Sequence, residues 1–164
     1  MGTPTGTSAA AGREPALTGL LRGRIREVGM LIEQRGEAAL AGTSLSLPLN
    51  HLLDAVVAEP GVTVTAIAAR VRKSQQAMSQ AADRLERLGF IERRVGSGRA
   101  VGLYATEEGR AASADGVRRE LAAEERTRQI LGDAQFEQLM SALEVARDCL
   151  TRDASGAGGA VGSH

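Results

Sequence analysis

The sequence predicts a mainly α protein with a small β-hairpin, and three observations carry that expectation. Aromatic residues make up 2% of the 164-residue chain, so the 43% hydrophobic content comes chiefly from Leu, Val, Ile, Ala and Met. Such a mixture favours packed helices over a β-sandwich. Apolar residues recur at steps of three and four along most of the chain, the period of a helix with one buried face. The stretch FIERRV-GSG-RAVGLYA breaks that period and reads as two short strands around a Gly-Ser-Gly turn. The length suits one modest core, hence a single domain.

Residues 1–14 and 151–164 are small and Gly-rich and read as disordered tails. From Pro15 to about Ala41, Leu17, Leu21, Ile25, Val28 and Ile32 mark one face of a helix, weakened by Gly23, Gly29 and Gly36. Ser46, with Pro48 in the first turn, is expected to start a short helix that ends near Glu59, where Pro60-Gly61 stops it. Thr63 caps a second short helix through about Val71. Ser74 caps a third, whose buried stripe is Met78, Ala81, Ala82, Leu85 and Leu88, with Gly89 as its terminator. After the hairpin, Thr106 caps a long polar helix to about Leu131, and Asp133 caps a last one to about Leu150.

Charge excludes some functions and suggests another. The net charge is zero, yet residues 70–99 hold 8 Lys/Arg against 3 acids, while residues 107–153 hold 7 against 11. A basic middle beside an acidic end steers a polyanion to one part of the surface. No window approaches the roughly 18 apolar residues of a membrane span, and no basic segment precedes an apolar one at the N-terminus. A cytoplasmic protein without a membrane partner is expected. Cys149 is the single cysteine, which rules out an internal disulfide and fits a reducing compartment. With two His, one Cys and no Gly-rich phosphate loop or HExxH, the chain lacks the makings of a metal site, a bound cofactor or a nucleophilic triad. It is not expected to be an enzyme.

Two short helices joined by a tight turn, with a hairpin after the second, describe a winged helix-turn-helix, whose second helix enters the major groove of DNA. On the outer side of that helix lie Gln75, Gln76, Ser79 and Gln80. A Gln amide pairs with adenine N6 and N7, and a Ser hydroxyl serves any base edge. The free N–H groups at Ser74 suit a phosphate. Arg72, Lys73, Arg84, Arg93 and Arg94 are placed to neutralise flanking phosphates, and Arg99 beside the turn to enter the minor groove. Read alone, each of these is also what a solvated surface carries. Capped amide helix, basic strand and Arg-tipped wing in this order are harder to obtain without DNA as the reason.

The stretch TVTAIAARVRKSQQAMSQAADRLERLGFIERR, a hairpin and then TEEGRAA resembles the MarR family of bacterial transcriptional regulators over about Leu45 to Gly109. The matching motifs are Asp83–Glu86, Gly89–Arg94 and Thr106–Gly109. Flanking helices extend the likeness to roughly 15–150. The resemblance implies a DNA-binding domain over 45–109 between dimerisation helices at 15–44 and 110–150. It also implies a homodimer that reads a palindromic operator on double-stranded DNA with half-sites about 10 base pairs apart. Such regulators typically repress nearby genes and let go on binding a small molecule or on oxidation. Three departures stand out. Ser97 takes the place of the wing's usual Asp and the loop is short. Arg72 and Lys73 replace a Gly and an apolar residue in the turn. Asn50, followed by His51, stands where an aromatic is common. Because family effectors sit between the first, second and fifth helices, Asn50 and His51 are candidates to hydrogen-bond an acidic or phenolic effector. A redox role for Cys149, and a protein-docking role for the basic hairpin, are the alternative readings.

Overall fold

The computed structural model describes residues 20–95 and 100–157. Six helices and one hairpin follow in the order α1 (Leu21–Ala39), α2 (Leu47–Ala58), α3 (Val64–Val71), α4 (Gln75–Arg87), β1 (Ile91–Val95), β2 (Val101–Ala105), α5 (Glu107–Leu131) and α6 (Asp133–Ala157). The chain is a mainly α winged helix-turn-helix. The Gly-Ser-Gly turn and Arg99 lie outside the described residues, as does Leu17.

Local chemistry explains most boundaries. The hydroxyl oxygens of Thr63, Ser74 and Thr106 accept from Ala66, Ala77 and Gly109 N–H at 3.2, 3.2 and 3.0 Å, each satisfying an amide that the first helical turn leaves without a partner. Ser46 precedes α2 with extended backbone but makes no such bond, and Pro48 starts this helix instead. Gly89 turns the chain out of α4 at φ +75°, a conformation that costs a side-chain-bearing residue about 1 kcal/mol or more.

Two ends fall elsewhere than the sequence suggests. Gly132, at φ +82°, takes the position before α6, and Asp133 lies in the first turn as a favourable charge on the helix N-terminus rather than as its cap. At the other end α6 runs to Ala157, past Leu150 and into the segment expected to be a tail. No Gly or Pro occurs between Gly132 and Gly156 to stop it, and Thr151 Oγ1 donates to Arg147 O at 2.7 Å within the extension.

The hairpin is antiparallel, pairing Ile91 with Ala105 and Val95 with Val101. Val62, just before α3, adds an isolated bridge to Leu103: Leu103 N–H donates to Val62 O at 2.9 Å, and Gly61 N–H donates to Leu103 O at 2.8 Å. The wing is thus sewn to the helix-turn-helix by backbone bonds. Beneath it lies the core, in which Leu49, Leu53 and Val56 of α2 meet Ile67 of α3, Ala82 and Leu85 of α4, and Ile91 and Leu103 of the hairpin. Met78 and Leu85 of the predicted α4 stripe are buried, but Leu88 is 36% exposed, because the chain has begun to turn away at the C-cap.

α5 packs along α2 through small residues. Gly109, Ser113 and Gly116 are its buried positions, and a Cβ on Gly116 would come within 2.0 Å of Asn50 Oδ1. α1 has no buried residue at all: Leu21 is 71%, Ile25 50% and Leu31 56% exposed. Leu121 on α5 and Val145 and Leu150 on α6 are exposed to a similar degree.

Candidate functional site

Ser74 opens α4 on the turn that leaves α3, and that turn carries strain. Arg72 ends α3 in the left-handed region at φ 52° and is the one non-glycine with positive φ among the described residues. Lys73 N–H then closes the turn onto Ala68 O at 3.1 Å. Arg72, Lys73 and Arg84 are exposed and have no ion pair among the described residues. Their charge is therefore available to a polyanion.

The four readers named from the sequence divide into two pairs. Gln76 and Gln80 are exposed and carry no hydrogen bond to another side chain among the described residues. Gln75 instead donates its amide to Thr65 Oγ1 at 3.1 Å, tying α4 back to α3. Ser79 is half-buried and shares with Gln75, Arg93, Val101 and Leu103 a groove of about 520 Å³ between α3, α4 and β2. The four polar positions look alike in the sequence, but a helix turns 100° per residue and points them two ways.

The basic strand divides as well. Arg93 Nη2 meets Asp83 Oδ1 at 2.6 Å and Nη1 meets Glu86 Oε2 at 3.0 Å, with the side chain 29% exposed. It braces β1 to α4, while the sequence analysis expects it at a phosphate. Arg94 is 62% exposed, pairs with Glu92 and lies 4.7 Å over the Tyr104 ring. The wing and α4 are further joined at their base, where Thr106 Oγ1 donates to Gly89 O at 2.7 Å and Thr106 N–H donates to Phe90 O at 3.0 Å.

A second feature lies at the other end of the fold, where α1, α2, α5 and α6 enclose a cavity of about 290 Å³. Ile32, Leu47, Phe136 and Met140 form its apolar walls, and His51 and Glu120 stand on its rim. Gly36 lets α1 approach this place, since a Cβ there would fall 2.2 Å from Leu47 Cδ1. Arg128 lies 4.2 Å over the Phe136 ring and bonds Glu137 at 2.6 Å, which fixes the ring and holds the guanidinium pKa above its ordinary value.

Asn50 and His51 converge on one partner that sequence reasoning missed. Asn50 Nδ2 donates to Glu120 Oε1 at 2.6 Å, and His51 Nε2 lies 2.8 Å from Glu120 Oε2. Asn50 is 1% exposed, does not line the cavity, and its Oδ1 has no hydrogen-bond partner. Its amide is used on Glu120, and it stands behind the cavity lining rather than in it. A separation of 70 residues hides Glu120 from pattern reading. One clue existed: Gly109, Ser113, Gly116 and Glu120 recur at helical spacing, and a stripe of small residues marks close helix packing. Cys149 is exposed on α6, with Arg152 Nη2 3.5 Å from its Sγ.

Residues 51–100 match the family model described as MarR family. A MarR-family transcriptional regulator from Rhodococcus sp. RHA1 superposes with a TM-score of 0.69 at 26% identity, covering 80% of this chain and 94% of that one. Over residues 51–100 the chain is similar to the MarR family. Similar too is CouR from Rhodococcus jostii, whose structure was solved bound to p-coumaroyl-CoA, with a TM-score of 0.66, 26% identity and coverage of 80% and 94%. MepR of Staphylococcus aureus, solved as a DNA complex, has a TM-score of 0.69 over 82% of this chain and 99% of its own; at 18% identity it speaks for the MarR fold alone. No curated protein matches the sequence. Among the described residues no helix is long and apolar enough to cross a membrane, and no group of three His, Cys, Asp or Glu could hold a metal.

Proposed function

We propose that this chain is a MarR-type regulator, a homodimer that reads a palindromic operator in duplex DNA, represses the adjacent genes, and is released by a small molecule bound in the cavity of α1, α2, α5 and α6. The observation that carries the DNA reading is the outer face of α4. There Gln76 and Gln80 stand free of side-chain partners, flanked by the unpaired cations Arg72, Lys73 and Arg84. Amides without an internal duty suit base edges, and unpaired cations suit phosphates. Gln75 and Ser79 serve as secondary contacts, Arg94 and Arg99 as wing contacts, and Ser74 as a backbone phosphate site. The test is capture of genomic fragments by the purified protein, followed by fluorescence anisotropy of the best fragment against scrambled DNA over a salt series. A palindrome bound about a thousandfold tighter than scramble is expected. Equal affinity for both would leave a basic surface without sequence reading, suited to an acidic protein partner.

Dimerisation is supported by the apolar side chains that α1, α5 and α6 leave in solvent, more than a monomer normally exposes in one region. Val145 is 60% and Leu150 67% exposed on α6. The double variant Val145→Asp, Leu150→Asp is expected to elute as a monomer in light-scattering chromatography and to lose the operator by roughly a hundredfold or more, since one half-site remains. An unchanged dimer would place the interface elsewhere.

Arg72 separates stability from binding. Arg72→Gly removes the Cβ from a left-handed position and is expected to stabilise each subunit by about 0.5–1 kcal/mol after the entropy of the freer unfolded chain is subtracted. The same change removes two cations per dimer, lowering the salt slope of DNA binding by about 1.8 units. A more stable protein with an unaltered slope would deny Arg72 its phosphate.

A further inference from the structure

We propose that the cavity between α1, α2, α5 and α6 selects an organic cation with a flat apolar body; this deepens, and rests on, the reading of that cavity as the effector site. Its charge is the reason. Glu33 of α1 and Glu120 and Glu124 of α5 all line it, against Arg35 of α1 and the imidazole of His51. Glu120 is already engaged by Asn50 and His51. Glu33 and Glu124 are exposed and have no ion pair among the described residues, so both stand ready to receive a positive group. Arg35 is shared with a neighbouring hollow, which it lines together with Arg119 and Arg126. The lining therefore carries three carboxylates against one guanidinium, and the imidazole of His51 is already engaged by Glu120. Ile32, Leu47, Phe136 and Met140 supply the walls for a ring system, and about 290 Å³ admits a body of one or two fused rings.

The arrangement reverses what Asn50 and His51 suggest in the sequence. A carboxylate or phenolate would have to lie beside unpaired carboxylates, and the one amide donor placed to greet it is buried and spent on Glu120. A cation meets acceptors at both Glu33 and Glu124 and displaces only water. Like charges repel and opposite charges attract more strongly beside an apolar wall than in open water.

The experiment titrates the full-length protein by calorimetry with 2-naphthamidine, 2-naphthamide and 2-naphthoate, which share one flat body and differ in charge. In parallel, each is tested for release of operator DNA. The amidine is expected to bind at least about tenfold tighter than the carboxylate, with the amide between. The variant Glu33→Gln, Glu124→Gln should bring all three within about twofold while leaving the melting temperature unchanged, because neither side chain holds a structural contact. Preference for the carboxylate overturns the cation inference, and if that carboxylate releases DNA the effector reading survives it. Amidine affinity that ignores the Gln substitutions also overturns it. An amidine that binds as expected without releasing DNA supports the charge selection and sinks the effector reading. No binding by any of the three overturns both.

Discussion

Replacing Gln76 and Gln80 together with Ala is expected to lower the operator-to-scramble affinity ratio by about a hundredfold or more while non-specific binding at low salt stays within about threefold. Each bidentate Gln–adenine pair discriminates by about 1–3 kcal/mol, and the dimer presents two copies of each side chain. On the proposed reading the phosphate contribution comes from other residues, the exposed Arg72, Lys73 and Arg84, which the substitutions leave in place. Both amides are exposed on the first turns of α4 and contribute nothing to the core below Met78, Ala82 and Leu85. The fold should therefore be indifferent to their loss, and anisotropy on the two DNAs checks the outcome directly. An equal drop on operator and scramble would mean that the amides act on the backbone rather than on bases. The same pair of titrations on Gln75→Ala should give a smaller effect, since that amide is already committed to Thr65.

Gly116→Ala is expected to destabilise the protein by about 3 kcal/mol. The new Cβ would fall 2.0 Å from Oδ1 and 2.5 Å from Cγ of Asn50, a side chain that is 1% exposed and has nowhere to retreat. Either α5 moves off α2, or Asn50 swings away and gives up its bond to Glu120. Overpacking costs about 1–3 kcal/mol and loss of a hydrogen bond to a charged group about 1.5–3, against a gain near 1 from better helix propensity. For a chain of this length the midpoint of thermal unfolding should fall by roughly 6–12 °C at fixed protein concentration. A second substitution, Asn50→Ala, should recover part of the loss by vacating the space, although it leaves Glu120 short of a donor. A Gly116→Ala protein that melts with the parent would show that the two helices have slack at this contact.

What was legible in the sequence is what short-range chemistry decides. Thr63, Ser74 and Thr106 announce helix starts because a hydroxyl and an amide three residues on belong to the same turn. The hairpin and the α4 stripe follow from alternation and from a period near 3.6. The ion pairs of Arg93 were not legible for the opposite reason. Its partners are seven and ten residues away, on another element, and whether a cation is bound or free depends on how strand and helix are folded together. Glu120, reaching residues on α2 from mid-α5, is a stronger case of the same kind. Leu88 failed by one position, where the stripe outlasts the helix that gives it meaning. The far end of α6 failed because composition was weighed against continuity: residues 151–155 contain no breaker, and the helix simply continues through them.

α5 is an uninterrupted rod of 25 residues, about 37 Å long. It is pinned at one end by Thr106 beneath the wing, and beside the cavity by the bonds of Glu120 to Asn50 and His51. Because Arg93 welds wing to α4, the reading head at the pinned end travels as one block. The rod is thus a pointer: a tilt of about 5° at the cavity end displaces its tip by roughly 3 Å, close to the 3.4 Å step between stacked bases. Two heads on the proposed dimer, each shifted by one step, would no longer agree with the spacing of a palindrome. On the proposed function, a ligand too small to reshape the protein would be large enough to put it out of phase with its DNA.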